Sequence, residues 1–260
     1  MNKFQKLLKK KHKSKIVCLT AYSKNISNIL DNHCDIVLVG DSLGSVLYNF
    51  KSTKSVSLDM MIEHSKSVQR GIKKSILVVD MPHNTYRSNK EALKNAKKII
   101  SKTKCDAVKL EGGNKTINIV KYLRKNKIQV MGHLGVLPQS QKGKFSYKGK
   151  KINERNKIFK DAKLLESAGV FSLVLECVES SLAKKITSTL EVPTIGIGSS
   201  INCDGQVLVT DDLLGLNPIN VRFIKRYANI RKVINKAVFD YSKDVRRKRF
   251  PKKQHSYLLI

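Results

Sequence analysis

The sequence has no tryptophan, only eight phenylalanines and eight tyrosines, and no long apolar run. Its longest apolar stretches, such as residues 36–39 and 171–175, have the length of a strand. A membrane-spanning helix needs about 18 or more such residues in succession. We therefore expect a soluble protein without a membrane partner. With 260 residues, of which 41% are hydrophobic, the chain is long enough to bury a globular core.

Acidic residues are also scarce, because 20 Asp and Glu stand against 51 Lys and Arg and give a formal net charge of +31. Such a charge is typical of proteins that bind nucleic acid or a membrane surface. The lysines are spread along nearly every helical segment, however, and no RNA-binding or helix-turn-helix signature accompanies them. We interpret the charge as compositional bias and expect no specific nucleic-acid partner. The alternative, a basic binding protein without catalysis, predicts a contiguous basic face with interleaved aromatic residues.

The cysteines are few and odd in number, and none forms a C-x-x-C pair. A disulfide framework is therefore not expected. Several of them lie in apolar, strand-like runs, which predicts reduced, buried thiols and a cytoplasmic location. The five residues are Cys18, Cys34, Cys105, Cys177 and Cys203.

Short β-branched runs recur along the chain, and most are followed by a segment with helical spacing. Eight such runs cover residues 16–22, 35–42, 75–82, 107–113, 128–135, 171–178, 192–199 and 206–211. The main helical segments cover residues 58–71, 89–102, 115–126, 154–168 and 180–190. This alternation predicts a (β/α)8 barrel that forms one domain over residues 1–260. A doubly wound open sheet is the alternative, but no G-x-G-x-x-G follows the first strand.

Three segments lie outside this alternation. Phe4, Leu7 and Leu8 are spaced as one face of a short N-terminal helix, and the run RRKRFPKKQHSYLLI predicts a basic C-terminal tail. The irregular stretch 136–151 follows the fifth predicted strand and carries Gly143, Gly149 and several lysines. It is interpreted either as an active-site lid or as a solvated loop.

Acidic residues stand at the ends of the second, third and fourth predicted strands, at Asp41, Asp80 and Glu111. In a β/α barrel the carboxyl ends of the strands meet at one rim, where the active site lies. Buried carboxylates are costly unless they are paired or bound to a metal, so three of them predict a hard divalent cation, with Mg²⁺ as the natural choice. The alternative for each acid is an N-cap of the helix that follows.

Three further strand residues are candidates for chemistry. Lys109 lies two residues from Glu111 and points to the same face, where it would attract a carboxylate or enolate oxygen of a substrate or form an ion pair with Glu111. Glu176 ends an apolar strand and is either a general base or a surface glutamate. His133 either donates a hydrogen bond to substrate or is a core histidine.

Several motifs carry a resemblance to a known family. The runs TAY, VGDSLG, VKLEGG, GHLGVLPQS, LVLECV, IGIGSS with CDGQVLV, and the closing HSY occur in order over residues 3–257. Together they resemble the ketopantoate hydroxymethyltransferase family. The resemblance implies a barrel of the phosphoenolpyruvate mutase-like group and a homo-oligomer, typically a decamer. It also implies a reaction in which 5,10-methylenetetrahydrofolate, 3-methyl-2-oxobutanoate and water give 2-dehydropantoate and tetrahydrofolate.

The resemblance also implies roles for individual residues. By motif, the metal ligands are Asp41, Asp80 and Glu111. The keto-acid contacts are Asp41, Ser42, Asp80 and Lys109, and the proton acceptor is Glu176.

Three features depart from the family pattern. Ser23 follows TAY where the family has Asp, and His83 stands where an aromatic residue is usual. The lid after PQS is short and rich in lysine. These departures concern the folate side and lid closure, since the predicted ligands and base are retained. Competing functions are another 2-keto-acid lyase or mutase of the same barrel group, which usually carries a KKCGH-like loop that is absent here, and a degenerate barrel retained as a scaffold.

Overall fold

The computed structural model describes residues 1–140, 146–219 and 221–257. The chain divides into two compact units, Met1–Thr210 and Asp211–Ile260. That residues 1–260 form one domain stays a prediction. No helix in the described ranges is both long and apolar enough to cross a membrane.

The first unit contains a closed barrel in which the strands are parallel and each pairs with its neighbours in chain order. The strands in the described ranges are β1 Ile16–Thr20, β2 Ile36–Val39, β3 Ile76–Asp80, β4 Ala107–Glu111, β5 Val130–Gly135, β6 Ser172–Glu176, β7 Thr194–Ile197 and β8 Gly205–Leu208. The helices that begin in this unit are α1 Lys3–Leu8, α2 Lys24–Leu30, α3 Leu43–Tyr48, α4 Leu58–Gln69, α5 Asn89–Thr103, α6 Ile117–Lys125, α7 Ile152–Ser167, α8 Ser180–Thr189 and α9 Thr210–Leu213.

The strands are apolar on both faces because each face is buried by a different layer. Alternate residues such as Ile36 and Leu38 of β2 join a cluster inside the barrel. The residues between them, such as Val37 and Val39, join a larger cluster with the surrounding helices. The same alternation sets which strand-end residues face the barrel mouth.

The predicted (β/α)8 barrel is confirmed, and a strand lies within or overlaps each of the eight predicted runs. Both ends of each of the five predicted helices lie within two residues of the observed bounds. The eighth run was extended too far, since β8 stops at Leu208 and Thr210 already begins α9, whose first turn carries two acidic residues suited to a helix N-terminus.

The predicted N-terminal helix is α1, in which Leu7 is buried and Phe4 packs edge to face on Phe171 at 4.8 Å between ring centroids. Leu8 was expected on the same face, but it is exposed because it lies one residue beyond the buried Leu7 on this single-sided helix. The five thiols are free and buried, as predicted. The lid predicted over 136–151 includes residues 141–145, which lie outside the described residues.

The second unit contains the helix α10, Ile230–Arg246, none of whose residues is buried. Apolar side chains are exposed along it, among them Val233, Ile234, Val238 and Phe239. The basic tail follows, and in it the Phe250 ring packs on Tyr241 at 5.5 Å between centroids.

Candidate active site

The polar residues of the barrel mouth share the strand parity of the barrel interior. Ala107 of β4 and Met131 of β5 lie in the interior cluster, so Lys109, Glu111 and His133, an even number of residues further along, also point inward. Val174 of β6 likewise precedes Glu176 by two residues. The local strand geometry therefore directs these side chains to one rim.

Asp41 and Asp80 lie side by side at the ends of β2 and β3, and both are buried. The backbone N–H of Asp41 donates to Oδ2 of Asp80 at 3.1 Å. Burial, together with the negative charges of Asp80 and Glu111, raises the pKa of Asp41 to about 7. The positive charge near Asp41 therefore does not offset its burial and the repulsion from the neighbouring carboxylates.

None of the three strand-end acids is a helix N-cap. The N-caps of α3, α5 and α6 are Ser42, Ser88 and Thr116. The capping alternative does not explain Asp41, Asp80 or Glu111.

Lys109 supplies one of the cations of the site. Its Nζ lies 3.0 Å from Oδ1 of Asp80, and both side chains are buried. Burial lowers the pKa of Lys109, but the charges of Asp80, Glu111 and Asp41 outweigh it and raise that pKa on balance. Lys109 pairs with Asp80 rather than with Glu111 because Asp80 and Lys109 are direct neighbours in the β3–β4 register.

His133 lies between two carboxylates. Its Nδ1 is 3.5 Å from Oε1 of Glu111, and its Nε2 is 3.2 Å from Oε2 of Glu176. Burial and Lys109 lower the pKa of His133, whereas the two glutamates outweigh them and raise it to about 9. Burial raises the pKa of Glu111, but His133 and Lys109 lower it on balance. The two flanking carboxylates therefore favour the protonated form of His133, which lies between the two glutamates.

Among the described residues of the mouth, acidic side chains outnumber basic ones. Two basic side chains, Lys109 and His133, lie beside four carboxyl groups, those of Asp41, Asp80, Glu111 and Glu176. In the described part of the chain, no three Asp, Glu, His or Cys side chains already lie close enough to hold one metal ion. Asp41 and Asp80 are the adjacent pair, whereas Glu111 faces His133 and Gln139.

Two residues to which the sequence assigned no role, Tyr22 and Gln139, are hydrogen bonded to predicted site residues. Ser42 Oγ and the Tyr22 hydroxyl are hydrogen bonded at 2.8 Å. Gln139 contacts Asp41 and Glu111 from the segment after β5. Gln139 lies in the GHLGVLPQS motif, which was the only sequence signal for it.

The chain is similar to known enzymes along almost its entire length. The sequence model described as ketopantoate hydroxymethyltransferase matches residues 1–253. The chain belongs to the ketopantoate hydroxymethyltransferase family. A 3-methyl-2-oxobutanoate hydroxymethyltransferase of Pelagibacter ubique is 71% identical over 255 residues, which cover 98% of this chain and 99% of the relative. The enzyme of the same name from Rhizobium etli is 48% identical and covers 93% of this chain and 90% of its own.

Solved structures support the fold. A phosphonopyruvate hydrolase superposes with a TM-score of 0.65 at 9% identity, covering 100% of this chain and 92% of its own. A 2,3-dimethylmalate lyase, described as a member of the PEP mutase/isocitrate lyase superfamily, gives 0.60 at 10% identity, with 97% and 87% covered. These likenesses support the barrel fold of the chain.

Two of the positions that depart from the family pattern, Ser23 and His83, are not fully buried. Ser23 is exposed and is the N-cap of α2, without a side-chain capping hydrogen bond. His83 is partly buried in the segment after β3.

Proposed function

We propose that the protein transfers a hydroxymethyl group from 5,10-methylenetetrahydrofolate to 3-methyl-2-oxobutanoate, giving 2-dehydropantoate. The observation that carries this proposal is the 71% identity over 98% of the chain to an enzyme of that name. The barrel mouth agrees with it, because an acid pair beside Lys109 and a glutamate beside His133 meet at one rim.

The mouth suits a divalent cation such as Mg²⁺. Among the described residues, four carboxyl groups face two basic side chains, and a bound dication would offset the repulsion that raises the pKa of Asp41. Mg²⁺ is commonly held by one or two carboxylates, with waters and substrate oxygens completing its shell. Asp41 and Asp80 would hold it, with Glu111 as the further predicted ligand. When bound, the cation would polarise the keto oxygen of the substrate and favour loss of a proton from C3.

The chain's own residues would carry the proton and the charge. Glu176 accepts the proton from C3 of the keto acid. Water hydrolyses the two C–N bonds of the folate methylene bridge, which gives tetrahydrofolate and the one-carbon unit as formaldehyde. The carbanion equivalent at C3 forms the new C–C bond to the formaldehyde carbon, whose oxygen takes up a proton and becomes the new hydroxyl. Lys109 remains charged and attracts the carboxylate or enolate oxygen. His133 holds the carboxylate of Glu176 in place through Nε2. Ser42 follows Asp41 in the sequence and carries a neutral hydroxyl, which is hydrogen bonded to Tyr22.

The decisive experiment compares wild type with Glu176→Gln in hydroxymethyl transfer to 3-methyl-2-oxobutanoate, with and without Mg²⁺. Loss of a general base lowers kcat by about 10² to 10⁴-fold. Glu191→Gln, an exposed glutamate before β7, is the matched control and should retain wild-type kcat. Folded, Mg²⁺-binding wild type that forms no product would refute the substrate assignment, and an active Glu176→Gln would refute the base.

The assembly and location of the protein are also proposals. The exposed apolar side chains of α10 support a homo-oligomer, which we expect to be a decamer, and light scattering after size-exclusion chromatography measures its mass. Five free, buried thiols support a reducing compartment, the cytoplasm, which fractionation tests.

A further inference from the structure

Gln139 contacts the acid cluster through both its side chain and its backbone. Its Nε2 donates to Oδ2 of Asp41 at 2.8 Å and to the carbonyl oxygen of Met81 at 3.0 Å. Its backbone N–H donates to Oε2 of Glu111 at 3.0 Å. The side chain is buried, with 3% of its surface exposed. One residue therefore contacts two of the predicted metal ligands from a segment outside the strands.

Tyr86 decides which way the amide of Gln139 faces. The Tyr86 hydroxyl donates to Oε1 of Gln139. If the amide were rotated by half a turn, Oε1 would face the carboxylate of Asp41 and the carbonyl of Met81, and both contacts would be repulsive. Tyr86 is itself partly buried in the segment after β3. The donor side of Gln139 is thus directed at Asp41.

A neutral donor has a specific advantage at this position. An Arg or Lys would offset part of the surplus negative charge that a dication needs, whereas an amide orients Asp41 without adding charge. Carboxylates that bind metals are commonly held by such hydrogen bonds from neighbouring groups, and loss of the neighbour weakens metal binding by about 10 to 100-fold.

We propose that Gln139, fixed by Tyr86, is a positioning residue that sets the carboxylates of Asp41 and Glu111 for the cation and the keto acid. This inference rests on the proposed function, because it concerns the same site. Through Gln139, the segment after β5 contributes a residue to the site. A role in stability alone is the competing explanation.

The test uses the full-length protein and Mn²⁺ as the probe, with Kd measured by electron paramagnetic resonance on metal-free protein. The variants are Gln139→Leu, Tyr86→Phe and the double variant. Gln206→Leu is the matched control, because Gln206 also donates through Nε2 to a backbone carbonyl but lies on β8, pointing out of the barrel. Unfolding midpoints and the Mg²⁺ dependence of product formation are measured in parallel.

We expect Gln139→Leu to raise the Mn²⁺ Kd by about 10 to 100-fold. The half-saturating Mg²⁺ concentration should rise in parallel, while kcat at saturating Mg²⁺ stays within a few fold. Tyr86→Phe should raise the Kd less, and the double variant should bind Mn²⁺ no more weakly than Gln139→Leu, because Tyr86 acts through Gln139. Gln206→Leu should leave the Kd unchanged.

Three results would overturn the inference. The first is a wild-type Kd in Gln139→Leu, with or without a lower unfolding midpoint. The second is strict additivity of the two substitutions, which would show that Tyr86 acts independently. If Gln139→Leu does not fold, Tyr86→Phe alone decides, and an unchanged Kd in it refutes the proposal. Mn²⁺ binding is read without substrates, so wild type that binds Mn²⁺ but forms no product would refute the proposed function and not the role of Gln139.

Discussion

The excess negative charge at the barrel mouth predicts an unusual response to Asp41→Asn. Burial and the neighbouring carboxylates raise the pKa of Asp41 from 3.8 to about 7. Because its pKa is raised, Asp41 binds its proton more tightly in the folded state than in the unfolded state. The contribution of protonated Asp41 to the free energy of unfolding is therefore complete below pH 3.8 and is lost as the pH rises through 7. Without metal, ionised Asp41 therefore destabilises the fold above pH 7.

The magnitude follows from the shift. About 1.4 kcal/mol per pKa unit over roughly three units gives about 4 kcal/mol at most. Because Asp80 shares the same repulsion, we expect about half of this, ~2 kcal/mol, from Asp41→Asn. In a chain of this size that amounts to a rise in Tm of about 4 to 8 °C.

The assay is thermal unfolding in EDTA at pH 8 and pH 5. Asp41→Asn should be more stable than wild type at pH 8, and the difference should shrink at pH 5, where Asp41 is protonated. Excess Mg²⁺ should reverse the order at pH 8, because only wild type keeps both carboxylates for the cation. A variant that is less stable than wild type at pH 8 in EDTA would refute the reasoning.

Asp31→Asn is the matched control with the opposite expected sign. Although burial raises the pKa of Asp31, hydrogen bonds from the backbone N–H groups of Ser75, Lys74 and Lys73 lower it on balance. Its stabilising contribution is therefore present above pH 3.8 and lost as the pH falls below it. Asp31→Asn should be less stable than wild type at pH 8, whether or not Mg²⁺ is present.

Two further predictions concern the same rim. His133→Leu leaves Glu111 and Glu176 without their shared cation and should lower the free energy of unfolding by about 3 kcal/mol at pH 6, as measured by urea. With a pKa raised from 6.5 to about 9, His133 stabilises wild type fully below pH 6.5 and loses this contribution as the pH rises through 9, so the two proteins should converge at pH 10. Gly135→Ala should destabilise by roughly 2 kcal/mol or more, since φ is +103° and a Cβ would lie 2.0 Å from the carbonyl oxygen of Glu176. Gly169→Ala, at φ +95° but facing only a flexible side chain, should cost less, and equal losses in urea unfolding would contradict the steric argument.

Local patterns in the sequence were sufficient for the barrel and for the chemical character of its mouth. Apolar β-branched runs alternating with helical spacing lead to a closed parallel barrel because its strands are buried on both faces. The period of two along a strand then places Lys109 and Glu111 on the inward face. Both inferences depend on residues close together in the chain. The predicted roles of these residues stay predictions.

Which side chains touch was decided only by the tertiary structure. Lys109 contacts Asp80 rather than Glu111, and Glu111 faces His133, because strand register places them as direct neighbours about 4.8 Å apart, closer than two positions along one strand. Gln139 reaches Asp41 across 98 residues of sequence. Its role depends on the path of the segment after β5, and no local preference encodes that path. The sequence by itself therefore determined the fold and the kinds of group at the rim, whereas barrel closure decided their partners and hence their charges.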